Sequence, residues 1–325
     1  RAGMSPPDPA APRVFRFGSG TAEAGAEDRA VLGGKGANLA EMAKLGIPVP
    51  PGFVIPTTEC ARFEKTGSLD ASLLAAVSGA LRFVEGSTDA GFGSPTRPLL
   101  VSVRSGARVS MPGMMDTVLN VGLTDATVDG LARMTADRRF ALDAYRRLIQ
   151  MYADVVFGID PFYFEEELYA AKAAAGVRSD QDLGVDALER LVASFLGVVS
   201  SHGCAFPQDP REQLERAICA VFTSWKNDRA VAYRDAHAIP HEWGTAVTIQ
   251  AMVYGNRGDR SGTGVAFTRN PATGARERYG EFLPNAQGED VVAGIRTPQP
   301  LNRDSGSFSD DETMATALPE AYADL

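Results

Sequence analysis

Cysteine and histidine are both scarce, with three of each among 325 residues. Cys60, Cys204 and Cys219 stand far apart, odd in number and without CxxC spacing. That argues against a disulfide or zinc framework and for a reduced, cytoplasmic setting. His202, His237 and His241 show neither HxxxH nor HExxH spacing, so none is assigned to metal or catalysis, and no residue is assigned as a metal ligand. A GxSxG elbow and a Cys/His nucleophile context are likewise missing. No run approaches the ~20 apolar residues that cross a bilayer, and the first residues hold no signal-peptide core, so no membrane partner is expected. Positive charge is in deficit: 32 Lys and Arg against 41 Asp and Glu leave −9, which argues against a nucleic-acid surface. Any cation that functions here must act locally.

What is present is ordinary globular usage, 44% hydrophobic and 22% charged, in a chain with room for two or three compact units. Residues 1–13 read as a disordered leader, and 14–17 as a short strand. Gly33, Gly34 and Gly36 then surround Lys35, and Leu39, Met42 and Ala43 follow at helical spacing. Gly46 and the prolines behind it end that helix. Residues 52–55 read as a strand, and 69–84 as a helix with Leu73, Val77, Leu81 and Val84 on one side. From 125 to 203 the pattern is nearly all helical, clearest over 138–157, where Phe140, Ala144, Leu148, Met151 and Tyr152 make an apolar stripe. Residues 183–199 and 212–225 repeat it. Val247, Ile249 and Ala251 alternate with Thr248 and Gln250, predicting a half-buried strand with Gln250 on the other face. Turn residues at 256–258 predict a return to an antiparallel partner at 262–268. The polar last twenty residues, stopping at Leu325, read as a cut.

Three stretches hold groups that suit phosphate. In 99–123 an apolar run, Leu99, Leu100, Val101 and Val103, delivers Arg104 and Arg108 into a loop of Ser105, Gly106, Ser110, Pro112 and Gly113. Small residues let backbone approach a ligand closely, and guanidinium groups bind phosphate oxygens bidentately. A surface turn with two solvated arginines is the competing reading. Lys35 stands at a helix amino terminus, whose open N–H groups and partial positive charge favour an anion, although the GxxxxGK[ST] spacing of a P-loop is absent. Arg146 and Arg147 lie on the 138–157 helix, with a solvated face as the default reading. A fourth stretch, 281–290, offers Glu281, Asn285, Gln287, Glu289 and Asp290 to a ribose, a base or magnesium, or forms a plain acidic turn.

Read together, seven segments carry a resemblance: VLGGKGANLAEM at 31–42, GIPVPPGFVI at 46–55, SVRSGARVSMPGMMDTVLNVGL at 102–123, YRRLIQMYADVV at 145–156, WGTAVTIQAMVYGN at 243–256, SGTGVAFTRNPATG at 261–274 and NAQGEDVVAGIRTPQP at 285–300. The chain resembles the nucleotide-binding amino-terminal domain of the pyruvate, phosphate dikinase family. The resemblance implies an α+β, ATP-grasp-like fold in which two subdomains clamp ATP, with an inserted all-helical subdomain and truncation before the final strands. The implied boundaries are 14–123 for the first subdomain, completed by about 208–243, then 124–207 for the helical insertion and 244–325 for an incomplete second subdomain.

The same resemblance implies phosphate-binding roles for Lys35, Arg104 and Arg147. It implies a closing loop at 110–116, disordered without nucleotide, that brings Gly113, Met115 and Asp116 to the site beside Gly34. Thr263 would lie near the nucleotide, and Gln287 and Glu289 would meet its ribose or base. The implied cofactors are ATP and Mg2+, with magnesium ligands beyond Leu325. In the implied reaction ATP pyrophosphorylates a histidine on another domain, phosphate takes the terminal phosphoryl group, and the phosphohistidine passes its own to pyruvate on a third. The whole enzyme, a homodimer, would convert ATP, pyruvate and phosphate into AMP, phosphoenolpyruvate and diphosphate. A stand-alone nucleotide-binding or interaction module, and another phosphotransferase of the superfamily, are the alternatives.

Overall fold

A computed structural model of the chain describes residues 12–258, 260–292, 297–302 and 313–325, the side chains of 289 and 292 excepted. The chain divides into two compact units, Arg1–Met252 and Val253–Leu325. The first opens with β1 (Phe15–Gly18), β2 (Thr21–Ala22), α1 (Arg29–Lys44), β3 (Gly52–Ile55), α2 (Thr57–Thr66), α3 (Ala71–Thr88), β4 (Gly91–Phe92) and β5 (Pro98–Leu99). It continues with β6 (Val101–Gly106), β7 (Thr117–Val121), α4 (Val128–Thr135), α5 (Arg138–Tyr152), α6 (Phe162–Ala175), α7 (Val185–Ser201), α8 (Pro210–Ser224), α9 (Asp228–Ala236) and β8 (Ala246–Ala251). A six-stranded sheet runs β2-β1-β3-β8-β6-β7 with every neighbouring pair antiparallel, and β4 and β5 form a short parallel pair.

The sheet is organised by β8, which lies between β3 and β6 and is buried at all six positions. The half-buried strand expected from its alternation is therefore corrected. Thr248 and Gln250 are buried as deeply as their apolar neighbours, because the face they share carries Ser102 and Arg104 of β6.

Helix α1 covers this sheet with Leu32, Ala37, Ala40 and Ala43, which form one core with Val54 and Ala246. Leu39 and Met42, expected in the stripe, are only half-buried. Small residues do the packing because the helix lies close: a Cβ on Gly36 would come within 2.8 Å of Val54. The helix ends as its sequence requires, with the Gly46 and Ile47 N–H groups donating to the Ala43 and Met42 carbonyls. Helix α3 starts at Asp70, whose carboxylate accepts from the Leu73 N–H at 2.8 Å.

The helical stretch is also as expected, with α5 running into a π-helical turn, Ala153–Phe157. It belongs to the same compact unit as the sheet. Helix α2, which the sequence reading passes over, fills the connection after β3. Residues 1–11 of the expected leader lie outside the described residues, while Arg13 is tied down, its Nε donating to Glu59 at 3.0 Å and its Nη groups to Glu59 and Asp70.

The second unit holds β9 (Gly262–Phe267), β10 (Tyr279–Pro284), α10 (Gly288–Val292), β11 (Gln299–Pro300), α11 (Met314–Ala317) and α12 (Pro319–Asp324), with an antiparallel sheet β11-β10-β9. Among the described residues the strand partner of β9 is β10, where the turn signal predicts β8. Thr263 of β9 pairs with Leu283 of β10. Of the turn residues, Arg257 N–H donates to Ser261 Oγ at 2.8 Å, Ser261 N–H to the Gly258 carbonyl at 3.0 Å, and Gly258 N–H to Asn285 Oδ1 at 3.2 Å. Strand β8, placed by the sequence reading in the second subdomain, belongs to the first unit's sheet. The fold class is α+β, and among the described residues no helix is long and apolar enough to cross a membrane.

Candidate phosphate-binding site

Gly33 breaks α1 with a φ of 68°, so the helix restarts at the glycine–lysine sequence. The restart is laced to the segment after β6: Gly34 N–H donates to the Ala107 carbonyl at 2.8 Å, and Arg29 Nε to the Arg108 carbonyl at 3.0 Å. Beside this seam lies a pocket of about 470 Å³, whose polar walls include Arg29, Lys35, Asn38, Ser105, Ser110 and Thr117. Gly34, Gly113 and Met115 line it as well. No Asp or Glu does.

Much of the Lys35 side chain is open to solvent, yet its surroundings desolvate the ammonium. That burial, and after it the charge of Arg104, lowers the Lys35 pKa. Arg104 sits on β6 itself and not in the following loop, with Thr117 of β7 and Thr248 of β8 directly opposite on either side. It is not among the pocket's lining residues. One Nη donates to Gln250 Oε1, its Nε has no partner, and burial lowers its pKa. Among the described residues no carboxylate pairs with either cation. Two cations held within electrostatic reach and left without a carboxylate make a place for an anion, since opposite charge within about 4–6 Å favours their charged forms. Arg108 plays a different part: its guanidinium lies 5.2 Å from the Trp243 ring, beside Glu242.

The 110–116 loop is held at both ends. Met111 is 8% exposed and packs in a cluster with Trp225 and Ala230, flanked by Met114, Met115 and Trp243. Asp116 turns away from the pocket, accepting from Asn227 Nδ2 at 3.1 Å, with Arg229 at 3.6 Å and its backbone N–H on Ser224 Oγ at 3.4 Å. A loop loose along its whole length was the expectation, and only Pro112 and Gly113 between these anchors are exposed.

The other expected residues have partners of their own. Arg147 does not line the pocket; its Nε donates to Asp143 at 3.1 Å, with Asp180 at 3.6 Å, while the more deeply buried Arg146 joins the same two carboxylates. In the second unit Thr263 donates to the Ala286 carbonyl at 2.6 Å, and Gln287 Oε1 accepts from Gly255 N–H at 3.3 Å. The Glu289 side chain lies outside the described residues. Among the described residues no cluster of three or more His, Cys, Asp or Glu side chains is placed to hold a metal. Sequence reasoning missed Arg29, Asn38, Thr117 and Gln250; the strand period placed Gln250 opposite the apolar face, and only its pairing partner was unknown.

Fold and pocket define an α+β protein with a pocket lined, among the described residues, by Arg29 and Lys35 and by no carboxylate. The chain belongs to the pyruvate phosphate dikinase AMP/ATP-binding domain family, matched over residues 29–82 and 69–310. It is 53% identical over 316 residues to pyruvate, phosphate dikinase of Rhizobium meliloti, covering 96% of this chain and 35% of the relative. It is 52% identical over 314 residues to pyruvate, phosphate dikinase 2 of Oryza sativa, covering 96% and 34%. Chloroplastic pyruvate, phosphate dikinase 1 of Arabidopsis thaliana is 51% identical over 332 residues, covering 100% and 33%. The chain thus spans about a third of the length of the curated relatives it matches.

Proposed function

We propose that this chain binds ATP through its phosphates at the pocket lined by Lys35, with Arg104 on the strand beside it, as the nucleotide-binding part of a pyruvate, phosphate dikinase. The observation that carries the reading is a pocket whose described lining holds Arg29 and Lys35 and no carboxylate, beside a buried Arg104 Nε without a partner, in a protein of net charge −9. Gly34 and Gly113 let backbone approach the ligand, with Met115 beside them. Arg147 is a third phosphate candidate, and Thr263, Gln287 and Glu289 are candidates for ribose or base on the resemblance alone. Asp116 acts by anchoring the loop.

The wider scheme is proposed in the same sense. It includes the ATP-grasp arrangement, the helical insertion at 124–207, transfer of a pyrophosphoryl group to a histidine on another domain, and phosphate and pyruvate as the further substrates. It also includes a homodimeric whole enzyme and a reducing, cytoplasmic compartment, which suits three free cysteines. Because the pocket has no carboxylate, Mg2+ is proposed to arrive on the nucleotide's phosphates.

Calorimetric titration with Mg-ATP tests the reading. Arg104→Ala should weaken binding by about 1.5–3 kcal/mol, the range of a hydrogen bond to a charged group. Equal affinity of wild type and variant would refute the site.

A further inference from the structure

The sheet face beside the pocket carries more polar groups than packing requires. Arg104 of β6 pairs directly with Thr248 of β8, and Gln250 lies two residues along on the same face, at the diagonal distance a long side chain spans. Gln250 is 6% exposed and Thr248 fully buried. The carboxamide uses both ends: Nε2 donates to the Pro50 carbonyl at 2.9 Å, and Oε1 accepts from Arg104 Nη2. Two polar atoms of this face remain without a partner, Arg104 Nε and Thr248 Oγ1. Buried polar groups are almost always paired, so these two mark where a further hydrogen-bonding group belongs. A carboxylate at position 250 would hold the guanidinium equally well but cancel its charge. A carboxamide fixes the guanidinium and leaves the charge for a ligand.

We propose that Gln250 is a positioning residue for the phosphate site, clamped to the Pro50 carbonyl and holding the Arg104 guanidinium so that its charge and remaining N–H groups serve phosphate oxygens. This rests on the phosphate-binding reading above. Its physical basis is preorganisation: an arginine already fixed loses less side-chain freedom when the anion binds.

Mg-ATP titration of the 325-residue chain and its variants tests it. Gln250→Met should bind about tenfold more weakly, while Arg104→Ala/Gln250→Met should bind no more weakly than Arg104→Ala, because the amide acts through the guanidinium. Gln250→Glu keeps the bond to Arg104 and should also bind at least tenfold more weakly. It should further move the loss of affinity at alkaline pH upward, as the added carboxylate raises the Lys35 pKa. Should Gln250→Met fail to fold, Gln250→Glu carries the test. An equal loss from Gln250→Met in both backgrounds, or wild-type binding by Gln250→Glu, overturns the proposal. Wild-type binding by Arg104→Ala would instead overturn the phosphate site itself, and the proposal with it.

Discussion

Gly33 faces Gly106 so closely that a Cβ on it would lie 1.8 Å from the Gly106 carbonyl oxygen. Its φ of 68° is also one that other residues adopt only with strain. Gly33→Ala should therefore destabilise the fold by at least about 2 kcal/mol and push the Lys35 segment off the strand that carries Arg104. Gly34→Ala is the control, since its Cβ would meet nothing nearer than 3.4 Å. Denaturant melts of both variants check this, and equal stability would contradict it.

Asp116 shows how a loop residue can serve a site without touching it. Burial raises its pKa, against the opposing hydrogen bond from Asn227 and the charge of Arg229. A carboxyl whose folded pKa is raised gives stability that is present below the unfolded value and lost as pH climbs through the folded one. Asp116→Asn escapes that loss, so its stability relative to wild type should grow across the acidic window and then level off. Asp116→Ala should cost about 1–3 kcal/mol by orphaning Asn227. Asp154, whose pKa is raised by burial and then by Asp116, should titrate lower in Asp116→Asn. Unfolding free energies measured across acidic pH decide the matter.

The helical arginines separate by burial. Arg146 is 4% exposed between Asp143 and Asp180, and Arg147 has a 15% exposed side chain on the same carboxylates. Removing one partner of a buried pair leaves its neighbour's charge uncompensated, at about 3–5 kcal/mol. Arg147 still meets Asp143 and Asp180 once Arg146 is gone, so Arg146→Ala should lower stability by the low end of that range, about 3 kcal/mol, and Arg147→Ala by less. Thermal melts that rank the two the other way would contradict this reading.

These cases show what the sequence made legible. The glycines around Lys35, the cap at Gly46 and the long apolar stripes state local geometry directly, and the structure follows them. Strand pairing is not local, and there the reading failed: β9 paired with β10, and β8 proved buried on both faces. The polar residues that made β8 look half-exposed are buried because β6 lays Ser102 and Arg104 against the same face. Gln250 and Thr248 become intelligible only once β6 lies beside β8, 148 positions away in the case of the Ser102–Gln250 bond.

Lys35 and Arg104 also predict a pH profile. The Lys35 pKa lies below its ordinary 10.5, from burial first and Arg104 second. Affinity for a polyphosphate should fall as pH rises through that value and the ammonium loses its proton. Removing Arg104 removes a like charge, so the Lys35 pKa rises. Arg104→Ala should therefore bind more weakly at neutral pH, yet lose its remaining affinity at a higher pH than wild type. Titrations from about pH 7 to about pH 10 test the sign, and a midpoint moving downward would separate Lys35 from the site.

The chain's two tryptophans, Trp225 and Trp243, both lie in or against the cluster that receives the 110–116 loop. Met111 is buried against Trp225, and Met114 and Met115 flank the cluster, so the loop covers the indoles with polarizable, flexible side chains. Trp225 Nε1 donates to the His241 carbonyl at 2.8 Å, and Arg234 lies 4.0 Å from its ring centroid, which fixes that indole independently of the loop. Nucleotide binding beside Gly113 and Met115 should then change intrinsic emission by moving the methionines, not the tryptophans. Met111→Ala should leave a cavity at about 2–5 kcal/mol, by analogy with other buried methionines, and shift the resting emission toward that of a wetter indole. Trp243→Phe should keep most of the nucleotide-dependent signal, because Met111 packs with Trp225 in the buried core of the cluster. If ATP binds by calorimetry while emission stays flat in wild type, the loop does not move on binding.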